Sequence, residues 1–325
     1  MFCSPWKLKQ IGVLSINRRN SDLIMRYNPR HLFPLVDDKL KTKKMALKND
    51  IAVPQLLGIV EIHHQIKQLG CFLEKQNDFV IKPAKGSGGN GILVVSGRNG
   101  KNYCKAGGDL IHLDHLAHHV SNILSGMYSL GGLKDRAIIE YRVKFDPLFA
   151  SISYQGVPDI RVIVFKGIPV AAMLRLPTRE SEGKANLHQG AMGVGIDITS
   201  GRSCGGVYRE QFCSIHPDTG ESIDNIQIPH WSDILHLAAK CSDTVGLGYI
   251  GVDIVLDQEL GPLMLELNAR PGLNIQIANR AGLLKMIEQV ESFESLPLEI
   301  NERITLSKTL SQMKYHQTPS ARASC

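Results

Sequence analysis

The sequence predicts an α+β chain whose polar chemistry sits on antiparallel hairpins. Three stretches carry that reading. Residues 251–272, GVDIVLDQELGPLMLELNARPG, hold two apolar runs, Ile250–Leu256 and Pro262–Leu267, around a polar Gln258–Gly261 break, which signals a hairpin. Phe79-Val80-Ile81, Lys82-Pro83-Ala84-Lys85, the glycine run Gly86–Gly91 and Ile92–Val95 read as strand, mobile loop and strand. Trp231–Val245 spaces Ile234, Leu235, Leu237, Ala238 and Cys241 as the inward stripe of an amphipathic helix.

Register decides what the last hairpin can do. A loop made of Gln258–Gly261 sets Asp257 opposite Pro262 and therefore Asp253 opposite Glu266. Side chains alternate along a strand, so Asp253, Glu266 and Asn268 then share one face, with Leu263, Leu265 and Leu267 on the other. An odd loop would separate Asp253 from Glu266, because a one-residue slip reverses every side chain. Two carboxylates and an amide oxygen are hard ligands that suit Mg²⁺ together with substrate phosphates. A solvated strand face accounts for the same acidic residues without a metal.

Taken in order, the chain opens with a mixed lead-in. Ile11–Arg26 is expected to hold a short helix, broken by Asn28-Pro29 and Phe33-Pro34. Asp37 or Asp38 then caps a helix to about Lys48 that carries five lysines; Lys39, in its first turn, faces whatever the helix start faces, and the others read mostly as solvated. Val53-Pro54 begins an extended stretch and Glu61–Glu74 reads as a helix. The glycine loop after Lys82 can close its backbone N–H groups over phosphates. It is no Walker loop, since Ile92 and Leu93 follow Gly91, and an ordinary glycine-rich hairpin turn is the plain alternative.

His112–Met127 reads as a helix; His115 and His119 have zinc-ligand spacing but no H-E-x-x-H context, so a solvated face is the reading. Ala137–Tyr141 is a strand. Ile160–Phe165 and Ile168–Leu176 form a hairpin about Lys166-Gly167, with Asp159, Arg161 and Arg175 at its charged positions. Thr178–His188 is a polar loop long enough to be functional. Ala191–Asp197, an irregular excursion over 213–230, and a last helix at Ala281–Ser292 follow. Residues 302–325 have a thin apolar pattern and read as a disordered, dispensable tail.

Bulk properties exclude several classes. The 325 residues are 43% hydrophobic and 21% charged, ordinary for a globular chain with a substantial core. The net charge of +6 is scattered, without a basic block or aromatic interleaving. That speaks against nucleic acid and is compatible with a phosphate-rich ligand. No run approaches the ~18 apolar residues of a membrane span, and no signal-peptide core is present. Seven widely spaced cysteines without C-x-x-C read as reduced thiols in a cytoplasmic protein.

With these parts in order, the chain resembles the ATP-grasp enzymes over about residues 36–292. The residues are Lys39 near a helix start, strand-Lys82-glycine flap, Glu140 ending a strand, Asp159-Ile-Arg161, Arg175, Asn186-Leu-His188, and Asp253…Glu266-Leu-Asn268. Within them it is similar to the RimK-related α-L-glutamate ligases. The resemblance implies two α+β subdomains with nucleotide held between them: a lead-in over 1–36, an ATP-grasp domain over 37–300 with a flap subdomain at about 77–143 and a metal-site subdomain at about 144–295, and a tail over 301–325. It implies that Lys39 and Lys82 contact ATP phosphates under the flap of Gly86, Ser87, Gly88 and Gly89. Glu140, Tyr141 and Val143 would line the adenine cleft, and Asp159 the ribose side. Arg175 and Asn186 would face the γ-phosphate, with His188 beside them. Asp253, Glu266 and Asn268 would hold Mg²⁺, with Mn²⁺ as a substitute and room for two ions, and Arg270 would stabilise the transferring phosphoryl group. The partners implied are an amino acid such as glutamate and a carboxyl-bearing peptide or small-molecule acceptor, with a homo-oligomer left open. Related ligases carry a leading α/β domain; the 36 residues before Asp37 are expected to lack it, being scarcely one βαβ unit of ~30 residues.

The residues fit this chemistry on their own terms. A carboxylate is a poor acyl donor, but transfer of a γ-phosphoryl group makes an acyl phosphate that an amine can attack. Positioning and charge neutralisation carry such transfer, and no nucleophilic Ser or Cys is needed. A kinase would use the same metal ligands, but its glycine loop precedes its lysine strand; here Lys82 precedes the loop, and H-R-D and D-F-G are absent. A non-catalytic nucleotide-binding module is the third reading.

Overall fold

The computed structural model describes residues 4–86 and 88–316. Two antiparallel sheets organise them. The first is built from β1 (Leu56–Val60), β2 (Phe79–Pro83), β3 (Leu93–Asn99), β4 (Asn102–Lys105), β5 (Leu110–Ile111) and β6 (Ala137–Glu140), in the order β1-β6-β2-β3-β4-β5. The second holds β7 (Asp159–Phe165), β8 (Ile168–Leu176), β9 (Met192–Ile196), β10 (Ser203–Tyr208), β11 (Gln211–Cys213), β12 (Tyr249–Asp257) and β13 (Gly261–Asn268), in the order β11-β10-β9-β8-β7-β12-β13.

The central strands of the second sheet are mostly apolar because both faces are covered. In β7, Ile160, Val162 and Val164 join the core under the Trp231–Val245 helix, while Ile163 and Phe165 join the core on the opposite face. That helix buries the five expected residues and ends at Gly246, whose left-handed φ of 71° lets its N–H bond Ser242 O. The opposite face is closed by the lead-in, the Leu284–Glu291 helix and the Ile300–His316 helix. In the first sheet, Leu116, Val120 and Ile123 of the Leu113–Leu124 helix pack on Phe79, Ile81 and Val95.

The lead-in is less regular than its spacing suggests. Helical turns at Ile16–Arg18 and Met25–Tyr27 flank a π-turn at Arg19–Ile24, and Leu14, Leu23 and Ile24 are buried. Asn28 is buried behind it, accepting from Tyr249 N and donating to Tyr249 O and Ala269 O. Glu61–Glu74 is not one helix but a 3₁₀ stretch, His63–Gln68, followed by a turn of helix at Leu69–Leu73.

Two expectations are corrected. The tail is ordered from Ile300 to His316: Ile304, Leu310 and Ser307 are buried, Ser307 Oγ donates to Pro169 O, and Arg303 pairs with Asp243. A thin apolar pattern suffices because this helix needs only a few residues to close an existing core; residues 317–325 lie outside the described set. In the last hairpin the loop is three residues, Gln258–Leu260, with Asp257 opposite Gly261 rather than Pro262. That odd loop does not separate Asp253 from Glu266, because a bulge at Leu265 restores the register: Ile254 faces Met264 and Asp253 faces Glu266. The bulge also divides the leucines. Leu263 and Leu265 pack with Val143 and Val255, whereas Met264 and Leu267 enter the core beneath the Trp231–Val245 helix.

Candidate active site

The flap grows directly out of β2. Ala84 N bonds Arg136 O, and Lys85 N donates to the buried carboxylate of Asp135, which also accepts from Ser129 Oγ at 2.8 Å. The Lys39–Lys48 helix abuts this start, with Asp38 capping it through bonds from Leu40 N and Lys41 N. Lys39 N bonds Ala84 O, and Lys39 Nζ lies 2.6 Å from Gly86 O and 3.0 Å from Glu266 Oε1. One side chain thus spans from the flap to the last hairpin.

Farther along, Gly88, Gly89 and Gly91 have φ of 63°, 77° and 75°, which L side chains rarely adopt. Gln189 Nε2 donates to Gly88 O at 3.1 Å, and Asn186 lies against the same glycine. His119 Nε2 sits 3.0 Å from Gly91 O, its basicity reduced by burial, so it is a support for the flap rather than part of a solvated face. Ser87 lies outside the described residues.

Beneath the flap, Lys82 and Lys43 share one carboxylate. Lys43 Nζ is 2.8 Å from Glu140 Oε2, and Lys82 Nζ contacts Glu140 Oε1. All three are nearly fully buried. Burial opposes the charge on Glu140, but Lys82 and Lys43 overcome it and hold the carboxyl below its ordinary range. Burial pushes Lys43 down, with Glu140 opposing. Lys43 is therefore not solvated as expected, and Glu140 is turned toward the lysines. Its neighbour Tyr141 donates to Asp257 Oδ2 at 3.0 Å, the oxygen that also accepts from Lys144 N, while Val143 is buried against Val255 and Leu263. The connection between the sheets is pinned there.

On the second sheet, register assembles a charged row. Asp159 stands opposite Arg175, Arg161 opposite Asp253, and Asp253 opposite Glu266. Arg175 forks onto Asp159 at 2.5 Å through both Nε and Nη2, and its Nη2 reaches Asp253 Oδ2 at 2.7 Å. Arg161 grips both oxygens of Asp253 at 2.6 Å. Against the cost of burial, two guanidiniums hold Asp253 below the usual carboxylate range. Asp159, with one guanidinium and the Asp253 charge nearby, is pushed up, chiefly by burial. Asn268 stands opposite Gly251, one step along the row, and its Oδ1 accepts from Arg270 N at 2.8 Å.

Two expected members lie apart. Arg270 is exposed, paired with Asp37 at 3.1 Å and stacked 5.0 Å from the centre of the Phe33 ring. His188 is exposed, and its N–H, not its ring, bonds Asn186 Oδ1. Sequence reasoning missed Lys43, Gln189 and Asp135. Only Lys43 had a signal, its four-residue spacing from Lys39. No group of three or more His, Cys, Asp or Glu among the described residues is arranged to hold a metal; the expected trio contains only two such residues.

Comparison with known proteins places this architecture. The sequence matches the family described as "Sugar-transfer associated ATP-grasp" over residues 18–292. A curated "Probable alpha-L-glutamate ligase" of Legionella pneumophila (strain Corby) is 28% identical over 206 residues, 60% of this chain and 57% of the relative, so the chain spans less than two thirds of that protein's length. Among solved structures, a biotin carboxylase from Campylobacter jejuni shares the fold over 83% of this chain and 49% of its own, with 16% identity and a TM-score of 0.52. A RimK domain protein ATP-grasp from Sphaerobacter thermophilus aligns over 81% of this chain and 70% of its own, at 14% identity and a TM-score of 0.45. On the strength of the match over residues 18–292, the chain belongs to the sugar-transfer associated ATP-grasp family.

Proposed function

We propose that the chain is an ATP-dependent carboxylate–amine ligase, joining glutamate or a similar amino acid to a carboxyl-bearing acceptor with release of ADP and phosphate. The observation that carries the reading is Lys39, whose ammonium touches both Gly86 O in the flap and Glu266 in the last hairpin. It marks a seam where the flap and its neighbouring cations face a row of carboxylates, a setting suited to a metal–polyphosphate. The glutamate-ligase name of the Legionella relative favours the amino acid.

In this reading Lys39 and Lys82 hold the ATP phosphates under the flap, and Glu140–Val143 form the hinge beside the base. Asp159 lies toward the ribose. Arg175 and Asn186 serve the γ-phosphate, with His188 and Arg270 as exposed residues that would turn toward it. Asp253, Glu266 and Asn268 fit Mg²⁺ or Mn²⁺: they are hard oxygen donors on adjacent register positions, and the row already draws the cations of Arg161, Arg175 and Lys39. Bound there, the ion would supply charge neutralisation of phosphate oxygens. The chain's own part is to orient. The arginines lie where negative charge develops on the transferring phosphoryl group, and the flap excludes water that would hydrolyse an acyl phosphate.

The test is an assay with Mg-ATP, candidate carboxylates and glutamate, with and without hydroxylamine. Expected are ADP and, with hydroxylamine, a hydroxamate. AMP would overturn γ-transfer. ADP with a stable phosphorylated product and no hydroxamate would indicate a kinase.

A further inference from the structure

We infer that Lys43 is a positioning residue for Lys82, acting through the Glu140 carboxylate that the two share; this rests on the proposal that the chain binds ATP. Lys39 and Lys43 lie four residues apart, on one face of the Lys39–Lys48 helix. Lys39 reaches the flap and the last hairpin, whereas Lys43 turns inward, where its ammonium meets Glu140 Oε2 at 2.8 Å and donates to Pro54 O. Lys82 takes the other oxygen, Oε1.

The division of that carboxylate has a consequence. With one oxygen for each amine, Glu140 fixes Lys82 while compensating only part of its charge, and the remainder is available to a phosphate. Without Lys43, both oxygens of Glu140 would turn to Lys82. The ammonium would then be fully paired and drawn back from the flap. Lys43 is itself buried, on the same helix as Leu40, which forms a small apolar cluster with Ala84 and Ile138 of the first sheet. A lysine in such surroundings, with its charged form disfavoured by burial, is a costly way to fill space and an effective way to apportion a carboxylate.

The test is a double-mutant cycle on the full chain, read by equilibrium binding of ATP, by steady-state kinetics and by thermal unfolding. Lys43→Met is expected to weaken ATP binding about tenfold, the scale of one charge-assisted contact, and to raise KM while leaving kcat within about twofold. In a Glu140→Gln background the same substitution is expected to change ATP affinity by less than about twofold, because the shared carboxylate is gone. Where Lys43→Met does not fold, Lys43→Leu makes the same comparison, since it too leaves Glu140 Oε2 without its amine. A lowered Tm with unchanged ATP affinity would show a merely structural lysine and overturn the inference. Equal loss of affinity in both backgrounds would overturn it too, by showing that Lys43 does not act through Glu140. A native chain that binds no ATP would overturn the nucleotide reading and this inference together, whereas native binding with unaffected variants would overturn this inference alone.

Discussion

Glu266 shows what a single side chain decides here. It stands opposite Asp253 in the strand register and 3.0 Å from Lys39, yet its side chain is 40% exposed. Exposure means that little folding energy depends on it; position means that a metal-bound phosphate would. Glu266→Gln is therefore expected to melt within about 0.5 kcal/mol of the native chain while losing ~10–100-fold in apparent Mg²⁺ affinity of turnover. A Mg²⁺ titration of ATP turnover checks it, and an unchanged curve would remove Glu266 from the metal set. Glu140 behaves oppositely. Its folded pKa lies below the ordinary 4.5, so its contribution to stability is present above the unfolded value and lost as pH falls through the folded one. Unfolding measured across that acid limb should be flatter in Glu140→Gln, by at most about 1.4 kcal/mol per pH unit. Equal slopes in the two proteins would show that the two lysines do not hold the carboxyl down. Sequence alone reached Glu266 because strand alternation is a strong constraint. It did not reach the burial of Lys43, because a helix with five lysines does not show which of them turns inward.

Among the elements, the last hairpin and the last helix show how local reading succeeds and fails. The facing of Asp253 and Glu266 was legible, although two irregularities, a three-residue loop and a bulge at Leu265, combine to produce it. Alternation in the sequence reports where polar residues end up, and is blind to paired insertions that cancel. The Ile300–His316 helix was not legible, because its apolar residues are sparse and the groove they fill belongs to distant strands. It docks through Ile304 and Leu310, through Ser307 on Pro169 O, and through Arg303 on Asp243. Removing residues 300–325 takes away the buried side chains of Ile304 and Leu310 and uncovers the part of β8 that the helix packs against. Burying one such aliphatic side chain is worth about 1.5–3 kcal/mol, so the truncated chain should melt lower by roughly 5 °C or more. Differential scanning calorimetry of the two lengths decides this; equal melting temperatures would show that the helix contributes no stability.

At the scale of the whole molecule, the two sheets meet along a seam where the flap touches a helix start, a strand and a short 3₁₀ turn. From the flap side the contacts are Gly86 O and Gly88 O; from the other side, Lys39, Glu266 and Gln189. The Lys39–Lys48 helix, through Leu40 and Ala46, and Val143 on Val255 and Leu263 join the two halves, so what can open without unfolding either half is the flap. The individual hairpins and covering helices were readable from periodicity, and their division between two halves from the resemblance to ATP-grasp enzymes. The seam was not, since Gln189 touches Gly88 across about a hundred residues and no local pattern encodes such a pairing. The contacts are also few. A flap whose glycines lose much backbone freedom on ordering, held by single hydrogen bonds of about 1 kcal/mol each, should open often. ATP bridging both sides would replace those bonds with many. Hydrogen exchange is therefore expected to slow at Gly88–Gly91 and at residues 184–189 together when Mg-ATP is added, because one closure protects both loops. Gln189→Ala should speed exchange at Gly88–Gly91 without nucleotide and leave the nucleotide-bound rate close to native, since the bond it removes matters only while ATP is absent. Protection of the flap alone, with the 184–189 loop unchanged, would separate the two loops and refute a common closure. Equal exchange with and without Mg-ATP in both loops would refute a nucleotide-ordered flap altogether.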